Sequence, residues 1–160
     1  MARRLSPELA QFVQSGLSIQ VGTRSASLLP EAVRAVGARV EEGGAEVTVF
    51  VPAATGARTV ANARENGRIA VCFARIEDHK TIQLKGTVVA AEPARDADRE
   101  LVDRYRGGIA KSLAFFGLPQ RLTYRIAHWP AHALRFRVES VYVQTPGPGA
   151  GEPLPGTAAR

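Results

Sequence analysis

Arg34 and Arg39, five residues apart, and Arg58, flanked by Thr55 and Thr59, are the side chains of this sequence best suited to binding chemistry. A guanidinium grips phosphate as a planar, two-pronged donor. Residues 55–66 have helical character, with Thr55 in the capping position and Gly67 closing the helix. A helix N-terminus adds backbone N–H donors and the positive end of its dipole. Arg58 with the two threonine hydroxyls therefore reads equally as a phosphate cradle or as a capped surface helix with an exposed arginine. Residues 81–85, Thr-Ile-Gln-Leu-Lys, alternate strictly, so Thr81, Gln83 and Lys85 share one face of a strand and Ile82 and Leu84 the other. That polar face is open either to a ligand or to water.

Other chemistries are poorly supplied. Of the three histidines, His79, His128 and His132, the last two are four apart, but Trp129-Pro130 lies between them and breaks the helix that would align their rings. No carboxylate stands nearby at ligand spacing, so loop histidines are the expectation and a metal site is not. The single cysteine, Cys72, lies in the apolar run 69–73, where it reads as a small hydrophobe, and one cysteine allows no internal disulfide and no cysteine-based zinc site within the chain. No Gly-x-Ser-x-Gly elbow, phosphate loop or Gly-x-Gly-x-x-Gly fingerprint occurs.

The elements that must position these residues follow from patterning. Ser6-Pro7-Glu8 opens a helix that Gly16 ends. Strands are expected over residues 17–23, 31–40, 47–51, 69–74, 81–91 and 133–144, with a hairpin turn at Gly43-Gly44. Helices are expected over 55–66, 94–106 and 109–116, the last two separated by Gly107-Gly108. Six strands in meander order, with helices inserted before the last, predict a mainly β fold: a six-stranded antiparallel barrel, closed or partly closed. Residues 1–145 form one domain on this reading. The Pro/Gly-rich stretch 146–160 is expected to be a flexible tail, disordered or loosely docked.

Composition bounds the rest. The chain has 160 residues, 45% apolar and 22% charged, which suits one globular domain. No apolar run approaches the roughly 18 residues of a membrane span, and the N-terminus lacks the apolar block of a secretory signal. A cytoplasmic protein with no membrane partner is expected. The net charge is +6 and 18 of the 21 basic residues are arginine, but they are scattered rather than arranged as a stripe with interleaved aromatics, so no nucleic-acid partner is expected either.

In order and spacing, the segments from about Ser18 to Ala91 resemble the FMN-binding split barrels related to pyridoxamine phosphate oxidase. Arg34-Ala-Val-Gly-Ala-Arg39 is similar to that family's arginine and, five residues on, lysine; a bulge or twist near Gly37 would bring the two together. Phe50-Val51 stands where the family has an aromatic-threonine pair whose backbone meets the flavin. Ala57-Arg58-Thr59 stands at its phosphate-gripping Ser-Arg-Lys, and 80–86 at its Arg-Gln-Val-x-Val-x-Gly strand, with Thr81 at the flavin-binding glutamine and Gln83 on the same face. The resemblance implies a homodimer that binds FMN through Arg34, Arg39, Phe50, Val51, Arg58, Thr59, Thr81 and Gln83, and an oxidoreductase acting on a small molecule. Related barrels hold a deazaflavin or haem instead, so a deazaflavin-dependent reductase and a non-enzymatic flavin or haem carrier are the alternatives. The oxidase's C-terminal arginine-histidine motif has no counterpart, so oxidation of pyridoxamine phosphate itself is not expected.

Overall fold

The computed structural model describes residues 2–154. Helix α1 (Pro7–Val13) starts as its sequence dictates: Ser6 Oγ accepts from the backbone of Leu9, Pro7 takes the first turn, and Glu8 faces the dipole. Strands β1 (Ser18–Arg24), β2 (Pro30–Ala35), β3 (Gly37–Val40), β4 (Glu46–Pro52), β5 (Arg68–Ala74), β6 (Thr81–Pro93) and β7 (Ala131–Val143) form one antiparallel sheet in the order β2-β1-β5-β6-β7-β4-β3.

The two edge strands of that order are consecutive in the chain. The single strand expected over 31–40 breaks at Val36; its first half pairs with β1 and its second half with β4, while Val36 N donates to Phe50 O at 2.8 Å. One bent stretch thus joins the ends of a curled sheet, and seven strands replace the six expected. A strand that must serve both ends of a closing sheet has to turn, and Gly37 stands at the corner, close under Phe50, Leu101 and Val102.

Alternation places Ile19, Val21, Val47, Val49, Val71, Phe73, Leu84, Leu134 and Phe136 inside the curl, where they are buried. Helix α2 (Ala53–Asn66) packs across β1, β2, β6 and β7, and Gly56 lets it lie on Val51: a Cβ there would sit 2.2 Å from the valine's Cγ1. The helix starts two residues earlier than expected. Pro52, not Thr55, is its N-cap, without a side-chain capping bond, and Arg58 falls in the second turn. Helix α3 (Arg99–Phe115) is continuous where two helices were expected, and α4 (Gln120–Thr123) follows it. Gly107-Gly108 does not break α3. Its Gly108 touches Gly16, and a Cβ on either would fall 3.0–3.1 Å from the other's Cα, so Gly108 serves close packing rather than a turn.

On the outer side of β4, Val36, Phe50, Val102 and Ala131 form a second small core beneath α3. The stretch expected as a flexible tail is bonded back onto β7 over residues 146–154. Val143 N donates to Glu152 O, Gly151 N to Val143 O and Leu154 N to Val141 O, all at 2.7–2.9 Å, and Leu154 packs against the main core. The remainder of that stretch lies outside the described residues. Among the described residues no helix is long and apolar enough to cross a membrane.

Candidate functional site

Strand register builds the site's face. Arg34 of β2 is paired with Gln20 of β1, Gln20 with Cys72 of β5, Cys72 with Gln83 of β6, and Gln83 with Tyr142 of β7. Their neighbours along each strand point into the core, so this row lines the outer surface of five strands. Gln83 Nε2 donates to Cys72 Sγ at 3.3 Å, and Gln144 Nε2 to Gln83 Oε1 at 3.5 Å. The next outward row is Ala32, Gly22, Ala70, Lys85 and Ser140. Its small members leave a groove of about 560 Å³ walled by Arg24, Arg68 and Lys85, with Glu139 as its carboxylate.

The three arginines singled out by spacing meet different fates. Arg34 is exposed and has no carboxylate partner among the described residues. Arg39 is spent within the chain: Nη1 donates to Asp98 at 2.7 Å, Nε to Glu41 at 3.1 Å, and the guanidinium lies 5.7 Å from the Phe50 ring centroid. Burial opposes charge on both Arg39 and Asp98, but their mutual hydrogen bond and those to Glu41 and Arg95 outweigh it, holding the guanidinium above its ordinary range and the carboxyl below. Arg58 is three-quarters exposed and makes one ion pair, to Glu31 at 3.2 Å.

The remaining candidates are arranged less openly. Phe50 and Val51 are fully buried, the first beneath α3 and the second beneath Gly56, so each presents only backbone. Thr59 follows Arg58 by one residue, about 100° round the helix, and is fully buried, its hydroxyl without a partner. Thr81 Oγ1 donates to His79 O at 2.9 Å, and its backbone N–H to Thr145 Oγ1 at 3.0 Å. The structure thus brings Arg34 and Gln83 onto one face and Arg39 against Phe50. It does not bring the three arginines onto a common partner.

Sequence reasoning missed Gln20, Gly22 and Ala70, although their period-two spacing in the strands was a usable signal. It also missed Arg106, nearly buried in α3, which donates to Asp103 at 3.1 Å and to Tyr124 O at 3.0 Å. His128 Nε2 lies 3.7 Å from the same Asp103; burial and the nearby Arg106 charge lower its pKa. Between Arg34 and Arg106 lies a cavity of about 30 Å³, bordered also by Val36, Leu113 and the unpartnered hydroxyl of Thr123. It has room for a water or two and not for a heterocycle, which would have to lie on the open face instead. No three potential metal ligands cluster among the described residues.

Comparison with known proteins agrees with the fold. Solved structures with a similar fold include an F420 reductase (TM-score 0.57, 13% identity, covering 85% of this chain and 98% of that one). A putative pyridoxamine 5'-phosphate oxidase from Lactobacillus delbrueckii aligns with TM-score 0.55 and 11% identity over 89% of this chain and 100% of that one. An FMN-binding protein from Syntrophomonas wolfei aligns with TM-score 0.50 and 13% identity over 84% of each. No curated protein sequence matches the chain. At the level of sequence, residues 5–144 match the pyridoxamine 5'-phosphate oxidase family. With that match covering nearly the whole barrel, and the curled antiparallel sheet to go with it, the chain belongs to the pyridoxamine 5'-phosphate oxidase family and has its FMN-binding split-barrel fold.

Proposed function

We propose that this protein is a homodimeric flavoprotein that binds FMN on the outer face of the sheet and acts as an oxidoreductase on a small molecule. The observation that carries the reading is Arg34: a guanidinium standing exposed, without a carboxylate partner among the described residues, at the end of a cross-strand row of polar side chains. That donor set suits a phosphate beside a hydrogen-bonding heterocycle. Arg58 stands apart from this row: it pairs with Glu31, which alternation places on the α2 side of β2, opposite Arg34. Arg39 is better suited to holding Asp98 and Glu41 in place than to reaching a ligand.

Bound flavin would supply hydride or electron transfer, and the protein's part is binding and orientation. Arg34 holds the phosphate. Gln20 and Gln83 offer amide donors and acceptors to the edge of the ring, and the small side chains at Gly22 and Ala70 leave room for a flat group to approach the sheet. The same openness supports the second copy: α2 covers another part of the barrel, α3 reaches this face only beside Arg34, and the rest is left for a partner to close.

Size-exclusion chromatography of the purified chain, with in-line light scattering and absorbance, tests the reading in one run. A dimer mass carrying a flavin absorption band, with FMN as the mass released by acid, is expected. A deazaflavin absorbs at a different wavelength and would replace FMN in the proposal. Colourless protein that takes up no FMN on mixing contradicts it.

A further inference from the structure

We propose that the tip formed by the end of α3, the following turn and α4 docks this protein peripherally on an anionic lipid bilayer. Phe115 is 80% exposed and Phe116 57%, and Leu118, Leu122, Tyr124 and Ile126 are exposed beside them. Single exposed apolar residues are ordinary, but six large ones within twelve positions form a patch that a water-facing surface does not keep without use.

Charge identifies what the patch meets. From Arg104 to Val138 the sequence has seven arginines and lysines and no aspartate or glutamate; four of them pair with Glu100, Asp103 or Glu46 from outside the segment, and Lys111, Arg121 and Arg125 have no ion pair among the described residues. Lys111, Arg121 and Arg125 are exposed and interleave with the apolar side chains. A second copy docking through this segment would set these cations against their own equivalents with no acid in the segment to offset them. An anionic surface is complementary instead.

Shape points to lipid rather than to an acidic protein. Residues 115–122 are all exposed, α4 rests chiefly on α3, and the chain turns at Gly117 (φ 89°) and Pro119, so the segment is a projecting end and not a groove that seats another chain. Aromatic and aliphatic side chains that enter the headgroup boundary while neighbouring cations meet phosphates are the pattern of an interfacial anchor. Arg106 steadies the tip by bonding to Tyr124 O. Composition led to the expectation of no membrane partner because no run is long enough to span; a peripheral contact needs none. The inference is independent of the cofactor.

Sedimentation of the full chain with sucrose-loaded vesicles tests it. Binding to phosphatidylglycerol-containing vesicles, weakening as salt is raised, and absent from pure phosphatidylcholine, is expected. Arg121→Gln with Arg125→Gln should weaken partitioning by about 25-fold, at about fivefold per cation, and Phe115→Ser with Phe116→Ser should reduce it at least as far. All four side chains are exposed, so circular dichroism should report an unchanged fold. Absence of binding to the anionic vesicles, equal binding to both vesicle types, or binding undiminished in either double variant overturns the proposal. So does a halved mass in light scattering for the Phe115/Phe116 variant, which would assign the tip to contact between copies.

Discussion

Asp98 is 4% exposed and accepts hydrogen bonds from Arg39 Nη1 and from the backbone of Arg95, tying the start of α3 to the corner where β3 leaves β2. Removing the carboxylate would leave a half-buried guanidinium short of a partner, so Asp98→Ala should destabilise the fold by about 2 kcal/mol. The pH dependence follows from the depressed carboxyl. Its folded pKa lies below the 3.8 of an unperturbed aspartate, so its contribution is fully present above about pH 4 and is lost as pH falls through the folded value. Urea denaturation at stepped pH should show wild type losing stability below pH 4 more steeply than Asp98→Asn; parallel curves would contradict the assignment. Arg39 illustrates what spacing alone conceals. Its five-residue offset from Arg34 is visible in the sequence, whereas its partner Asp98 lies 59 residues away and becomes a neighbour only once α3 folds over β3. Arg34 differs: at an outward strand position with no carboxylate partner among the described residues, it keeps an exposed guanidinium.

At the scale of elements, strands and the Ser6-capped helix α1 were legible because alternation and capping are local, whereas Thr55 reads as a cap inside a helix that starts at Ala53. The sheet's pairing was not legible. A ten-residue β pattern over 31–40 carries no mark that one half pairs with β1 and the other with β4, nor that Gly107-Gly108 accommodates a neighbouring backbone rather than ending a helix. Residues 146–154 are the clearest case. Proline and glycine signal a lack of core-forming side chains, but this segment is held by backbone groups, to which composition is blind. Three such bonds and the packing of Leu154 contribute about 2–3 kcal/mol at typical values, equivalent to a drop of about 5–10 °C in Tm for a domain of this size. Truncation after Thr145 should therefore lower the melting temperature measured by calorimetry by about that amount. An unchanged Tm would show the segment to be energetically idle.

For the whole molecule, closing the sheet fixes where binding can occur. The interior is filled by aliphatic and aromatic side chains and α2 packs across one side, so a cofactor of flavin size has only the outer faces available. One of these is a polar row ending in Arg34 above a groove floored by Gly22 and Ala70; another is the apolar tip of α3 and α4. Membership of the family was legible from the order of weak motifs across some 70 residues, whereas the site's outline emerged only from cross-strand register. The central claim is that Arg34 reads a phosphate at that outline. Fluorescence-quenching titration of FMN and of riboflavin, which has no phosphate, into apo-protein tests it most directly. A charge-assisted contact contributes roughly 1.5–3 kcal/mol, so Arg34→Ala should weaken FMN binding about ten- to a hundredfold and leave riboflavin binding unchanged. Equal losses for the two flavins, or a wild-type protein that binds them equally well, would contradict the account.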